Sequence, residues 1–373
     1  MPVILTPLAM LNDHLHLTES YLPFIVQHPT AALMLEPVEL LLASTVVFAS
    51  DALAQRLSVS RARRRSLCFV VAIIAWPTAA VWGHAEDALA MTFAIYALIA
   101  MLDRRWAAFG WLLGLGIVVQ PLVALLVPLL IGAAPRGQRV LLAIRSAALS
   151  ALLVGVALAG DAADTWRALV TQPTPPSMNH ATPWNALAPK AVSGAVATSR
   201  HGGYLHRLGH AAAVQTPSRA VAEVSGGPGR LVDVLLAVAI GLYVWRRPQD
   251  PVRLLWLAAA VLASRCLFEA VMTPYYLAPP LILALVMASR RNGRGFLAAA
   301  VIALEITVFA YHHLNPWAWW LPIVVGLGAI LALGYPAGVC APSGPVPEVL
   351  RGSESSEPDS PQLESRRVHE HSR

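Results

Sequence analysis

Apolar runs broken by short polar turns set the pattern of this chain. Runs 67–81 and 88–102 carry no charged residue and flank the stretch Trp82-Gly83-His84-Ala85-Glu86-Asp87. Further predominantly apolar runs cover 38–54, 106–119, 122–134, 140–159, 231–245, 254–268, 276–289, 296–311 and 317–333. At about 1.5 Å per residue, the longer runs reach across a hydrocarbon core of roughly 30 Å. Arms 106–119 and 122–134, joined at Gln120-Pro121, are shorter. At about 21 Å or less each, they are expected as a tilted or partly re-entrant hairpin. The pattern predicts an all-α polytopic transmembrane helical bundle of about 10–12 spans.

Charge orients the bundle. Arg56 with Arg61, Arg63, Arg64 and Arg65, then Arg104-Arg105, Arg136 with Arg139, Arg246-Arg247 with Arg253, and Arg290-Arg291 with Arg294 fall in every second break. Basic residues mark cytoplasmic loops, so the alternate breaks, including His84–Asp87, are expected at the outer face. The expected location is the plasma membrane, multi-pass, with a cytoplasmic C-terminus. The divisions are an interfacial segment (1–36), N-terminal spans with the acidic hairpin (37–160), a long extracytoplasmic loop (161–230), C-terminal spans (231–338) and a disordered tail (339–373).

Composition supports the class. Hydrophobic residues make up 57% and charged residues 13%, with mean hydropathy +0.59; soluble domains carry about 25% charged residues. The net charge of +6 is spread over the loop arginines, which argues against nucleic acid as a partner. Cys68, Cys266 and Cys340 are scattered and form neither a disulfide framework nor a CxxC site. Residues 1–10 lack a basic leader, so no cleaved signal peptide is expected.

Candidate chemistry concentrates on the outer side. Glu86 and Asp87 can cap a helix start, where the dipole favours negative charge. Capping accounts for one carboxylate better than for His-x-Glu-Asp, and charges near the bilayer are costly enough to suggest function. Arg265 and Glu269, spaced i,i+4, read either as an intramembrane ion pair or as a phosphate-binding Arg with an orienting acid. Tyr275 and Tyr276 read as interface anchors. His312 and His313, in the last outer turn, fit an aromatic belt. Glu305, within run 296–311, reads as a packing residue hydrogen-bonded across the bundle or as part of a polar path. His206 and His210 are half of a metal site without a carboxylate at metal-ligand spacing, so a plain solvated helix is favoured there; no cofactor is expected, and a divalent metal is left open without being indicated.

The Gly-His-x-Glu-Asp opening, the basic turn and Gly110-x-x-x-Gly114-x-Gly116-x-x-x-Gln120-Pro121 resemble polytopic glycosyltransferases of the GT-C superfamily. The similarity is greatest to the polyprenol-phosphate-mannose-dependent enzymes of actinobacteria, and Tyr275-Tyr276-Leu277-x-Pro279 fits them too. The resemblance implies transfer of a sugar, with mannose expected, from a polyprenyl-phosphate donor to a lipid or glycan acceptor of the cell envelope. It implies Asp87 or Glu86 as general base with His84 in support. It makes Arg265, Glu269, Tyr275, Tyr276, Gln120 and His312 candidates for holding the substrate and its phosphate. Members of that superfamily place their acid in a first outer loop, which leaves Asp13 and Glu19 as alternatives. A secondary transporter and a non-catalytic lipid-binding subunit of an envelope-assembly complex are the competing expectations.

Overall fold

The computed structural model describes residues 30–81, 84–170, 180–193, 221–224 and 227–336. Asp13, Glu19, Trp82, Gly83, His206, His210, Cys340 and the tail lie outside them. The described helices are α1 (Thr30–Arg56), α2 (Arg61–Ala80), α3 (Ala85–Leu102), α4 (Trp106–Val119), α5 (Val127–Ala133) and α6 (Arg139–Gly160). After them come α7 (Ala162–Val170), α8 (Gly227–Arg246), α9 (Pro251–Phe268), α10 (Ala278–Ser289), α11 (Gly293–Phe309) and α12 (Pro316–Gly334). Six helical stretches are long and apolar enough to cross a membrane: Pro37–Arg56, Ala85–Leu102, Arg136–Gly160, Gly227–Arg246, Pro251–Phe268 and Pro316–Gly334. The protein is an all-α membrane bundle.

Local chemistry starts several of these helices. Asp250 accepts hydrogen bonds from Val252 N and Arg253 N ahead of α9, and Asn315 accepts one from Ala318 N ahead of α12. A proline comes directly after each cap, where its missing N–H costs nothing. Asn292 caps α11 by accepting from Gly295 N at 2.7 Å.

Helix α10 lies at the centre. Every residue from Ala278 to Ser289 is buried, as expected of a helix apolar on all sides. It packs against α9, α12, α11, α2 and α1. At the periphery, α6 buries only Leu142 and Ser146 and turns Val140, Ile144, Leu152 and Val156 outwards. An apolar surface of that extent suits contact with lipid.

The basic loops meet at one end of the bundle. Arg56 pairs with Asp103 at 2.6 Å. Arg63 donates to Ser289 O and Arg291 O, and Arg64 grips Asp51 through two nitrogens. The guanidinium of Arg139 covers the Trp245 ring at 4.1 Å. The opposite end gathers the His84 turn, Gln120, the start of α8 and the segment between α9 and α10. This division of the loops matches the alternation of arginine-rich and arginine-poor breaks.

Three details depart from the sequence reading. Residues 122–134 do not form one helical arm: Pro121–Leu126 is a 3-10 turn, and α5 comes after it. Nor do the two arms pair mainly as a hairpin, since α4 lies between α3 and α6 while α5 packs on α8. Glycines make the second crossing close, because a Cβ on Gly132 would sit 2.5 Å from Gly241 O. Finally, Glu305 is exposed and faces outwards on α11, away from the bundle it was expected to bridge.

Two short ladders organise the described part of the 161–230 segment. Strand β1 (His180–Ala181) pairs antiparallel with β4 (Val271–Met272), in register His180↔Met272. Strand β2 (Lys190–Ser193) pairs with β3 (Val221–Val224). Ala188 and Val224 share a small core with Ala270 and Val271, which holds these ladders to the end of α9.

A candidate active site at the start of α3

The site begins with a chain reversal. Helix α2 contains Pro77 near its end, and the His84 N–H donates to Thr78 O at 2.8 Å. The chain then enters α3 with Glu86 and Asp87 in the first turn, where the N-terminal dipole stabilises carboxylates. His84 Nδ1 lies 2.6 Å from Glu86 Oε1. Burial disfavours the imidazolium, but the Glu86 carboxylate beside it outweighs that penalty and holds the pKa above its ordinary 6.5. Glu39 of α1 lies within electrostatic reach of the same ring.

Asp87 points inwards and is 2% exposed. Gln120, extended between α4 and the 3-10 turn, donates to Asp87 Oδ1 at 2.8 Å. The Gln-Pro turn therefore acts as a polar support for the acidic helix start, which sequence spacing alone did not show. Asp87 Oδ2 and Glu86 Oε2 are buried without a hydrogen-bond partner among the described residues. One donor atom from each of His84, Glu86 and Asp87 lies within 4.8 Å of the others.

The segment after α9 closes the site from above. The rings of Tyr275 and His84 lie 4.4 Å apart, and Tyr275 meets Tyr276 edge-on at 4.8 Å. Tyr276 in turn lies under the Arg265 guanidinium at 4.3 Å. Both tyrosines thus join the acidic turn to the Arg265 helix; they are not simple interface anchors. Arg265 pairs with Glu269 at 3.4 Å, while Arg230 of α8 takes the other oxygen of that carboxylate at 2.9 Å. Asp233 lies near Ser264, Glu269 and both arginines, and its Oδ1 has no hydrogen-bond partner. Arg265 is accordingly tied into a buried network, and its charge is shared with Glu269.

His312 does not join this arrangement among the described contacts. It lies exposed against Phe309, with ring centroids 6.1 Å apart. Its neighbour His313 stacks on His180, which stacks in turn on the buried Trp319 at 4.3 Å. Burial, aided by the second imidazole, pushes His180 down to about 4. Thr182, two residues on, donates to Glu269 O at 2.6 Å. His180, Thr182, Arg230 and Asp233 were not legible as site neighbours. Their partners lie tens of residues away, and only the β1–β4 pairing and the α8–α9 contact bring them together.

The arrangement offers carboxylates able to accept a proton, an imidazole coupled to one of them and aromatic rings packed beside it. No known protein family, curated protein or solved structure matches the chain.

Proposed function

We propose that this protein is a membrane glycosyltransferase that moves a sugar, with mannose the favoured candidate, from a polyprenyl-phosphate donor to a lipid or glycan acceptor of the cell envelope. The observation that carries the reading is Asp87: a buried carboxylate at a helix mouth, held through one oxygen by Gln120 and unpartnered at the other. Such a group is oriented and poorly hydrated, two properties that favour proton abstraction from a hydroxyl. The acceptor oxygen attacks the anomeric carbon, the carbon–oxygen bond to phosphate breaks, and the phosphate leaves with the electron pair. The hydroxyl proton passes to the carboxylate, with Asp87 first and Glu86 second as acceptor. Tyr275, beside His84, supplies a ring for the sugar face. Arg265 and Arg230 contribute positive potential towards the leaving phosphate, although Glu269 holds both.

In this reading the shorter apolar helices Trp106–Val119, Pro121–Ala133 and Pro274–Ser289 are also inserted, and with α2 and α11 they bring the six long spans to eleven passes. The arginine-rich end then faces the cytoplasm, as does the C-terminus, and His84–Asp87 faces out. A second reading, a proton-coupled carrier, has one observation in its favour. Asp87 and Asp233 are both buried within helices long enough to cross a membrane, and each has an unpartnered oxygen. Membranes containing the protein, supplied with radiolabelled polyprenyl-phosphate sugar, separate the two. The transferase reading predicts label moving into a new lipid or glycan product. The carrier reading predicts no product, together with solute uptake that collapses when the proton gradient is removed.

A further inference from the structure

We propose that His84, Glu86 and Asp87 form a divalent-cation site with open coordination positions. The donor set is mixed, two carboxylates and an imidazole, which suits Mn²⁺, Zn²⁺ or Mg²⁺ more than a soft metal. The geometry is already close. A ligand atom from each residue lies within 4.8 Å of the others. Bonds of about 2.0–2.2 Å to one ion put two donors about 3 Å apart in cis and about 4.3 Å apart in trans. Shifts of well under one side-chain rotamer bring the three together.

The second observation is the state of the carboxylates. Asp87 is 2% exposed, and its Oδ2 has no hydrogen-bond partner; neither does the buried Glu86 Oε2. Native proteins rarely leave such atoms unpaired, because desolvation without compensation is costly. Two adjacent carboxylates also repel each other; His84 and Arg265 offset that charge only in part, and Gln120 offers Asp87 a hydrogen bond but no charge. A divalent ion resolves both problems at once. It takes an orphaned oxygen of each carboxylate as a ligand and balances the pair, and the remaining lone pairs of the carboxylates are left for the proton of an acceptor hydroxyl. Gln120 then acts as the outer partner that orients a ligating carboxylate, an arrangement typical of metal centres.

Three protein ligands leave coordination positions free, the pattern of a site that works on a bound molecule and not of a purely structural one. Their natural occupant is an oxyanion such as the donor phosphate; that step rests on the transferase reading, whereas cation binding does not. The sequence left a divalent metal open without indicating one, and weighed only His206 and His210 as its ligands.

The test uses the full-length protein in lipid nanodiscs, stripped with chelator and titrated with Mn²⁺ under electron paramagnetic resonance. The expected result is one saturable Mn²⁺ per chain, with a nitrogen coupling from an imidazole. Glu86→Gln and Asp87→Asn should each weaken binding at least about tenfold, and His84→Gln should abolish the nitrogen coupling. Asp250→Asn, which keeps the α9 cap, should bind as wild type. Should Asp87→Asn fail to fold, the less buried Glu86 and His84 carry the same comparison. The proposal is overturned if wild type binds no Mn²⁺ saturably, or if binding and nitrogen coupling persist unchanged in the Glu86 and His84 variants. Mn²⁺ binding without sugar transfer would leave the cation site standing and remove the transferase. Transfer by protein that binds no metal would do the reverse.

Discussion

Replacing Glu269 should harm this protein more than replacing either arginine that holds it. The carboxylate is 2% exposed, with Arg230 Nε at 2.9 Å on one oxygen and Arg265 Nε at 3.4 Å on the other. Glu269→Gln leaves the buried Arg265 with the Tyr276 ring and the more distant charges of Asp233 and Asp87. Breaking a buried pair from one side costs about 3–5 kcal/mol, because a charge remains without compensation. Arg265→Met is milder, at roughly 1–3 kcal/mol, since Glu269 keeps its Arg230 hydrogen bond and the costly guanidinium is gone. Arg230 is a quarter exposed, so Arg230→Gln should cost about 1 kcal/mol or less after screening by water. Combining Glu269→Leu with Arg265→Met should recover most of the loss of Glu269→Leu alone. The assay is reversible unfolding in mixed micelles by dodecyl sulfate titration, monitored by tryptophan fluorescence. Glu269→Gln lying within about 0.5 kcal/mol of wild type, or Arg265→Met costing more than Glu269→Gln, would refute the reasoning.

Gly241→Val should destabilise by about 1–3 kcal/mol or more, because its Cβ would stand 2.5 Å from Pro128 O; Gly155→Ala, with nothing within 4 Å, should not. Thermal unfolding of the two variants in the same detergent checks the contrast. His180, with a folded pKa of about 4 against 6.5 unfolded, takes up its proton more readily in the unfolded chain. Its contribution to stability is therefore full above about pH 6.5 and is lost as the pH falls towards 4. The fall in unfolding temperature across that window should be smaller in His180→Phe, and equal falls would contradict the assignment. Glu305→Leu should leave sugar transfer at the wild-type level, since the side chain faces out of the bundle; loss of transfer at equal protein level would place it on a functional path.

Much of the bundle was legible because insertion into a bilayer demands long apolar helices, and such helices announce themselves in composition. The stretch 88–102 reappears within α3, and run 254–268 within α9, with Asp250 capping and Pro251 leading. The arms around Gln120 were misread because an apolar stretch has the same composition as α-helix or 3-10 turn. Pro121 interrupts the run, but a proline fits the first turn of either kind of helix. The acidic turn stood out since charges beside apolar runs are rare. Its support did not, because Gln120 and Tyr275 reach Asp87 and His84 through tertiary contacts with no local periodicity. Arg265 and Glu269 were readable as an i,i+4 pair, but Arg230 comes from another helix, 39 residues away in sequence from Glu269. Glu305 shows the opposite limit. A carboxylate in an apolar helix suggests an inward partner, and only packing reveals which way the helix is turned.

The most direct test of the account is sugar transfer by the purified protein in nanodiscs with a labelled polyprenyl-phosphate sugar and a membrane acceptor extract. Asp87→Asn keeps the size of the side chain and an oxygen for Gln120 but removes the carboxylate. The account predicts robust transfer by wild type and a loss of at least about a hundredfold in Asp87→Asn, the scale of a missing general base. Transfer that is equal in the two proteins, or absent from wild type while the protein remains folded, would contradict it.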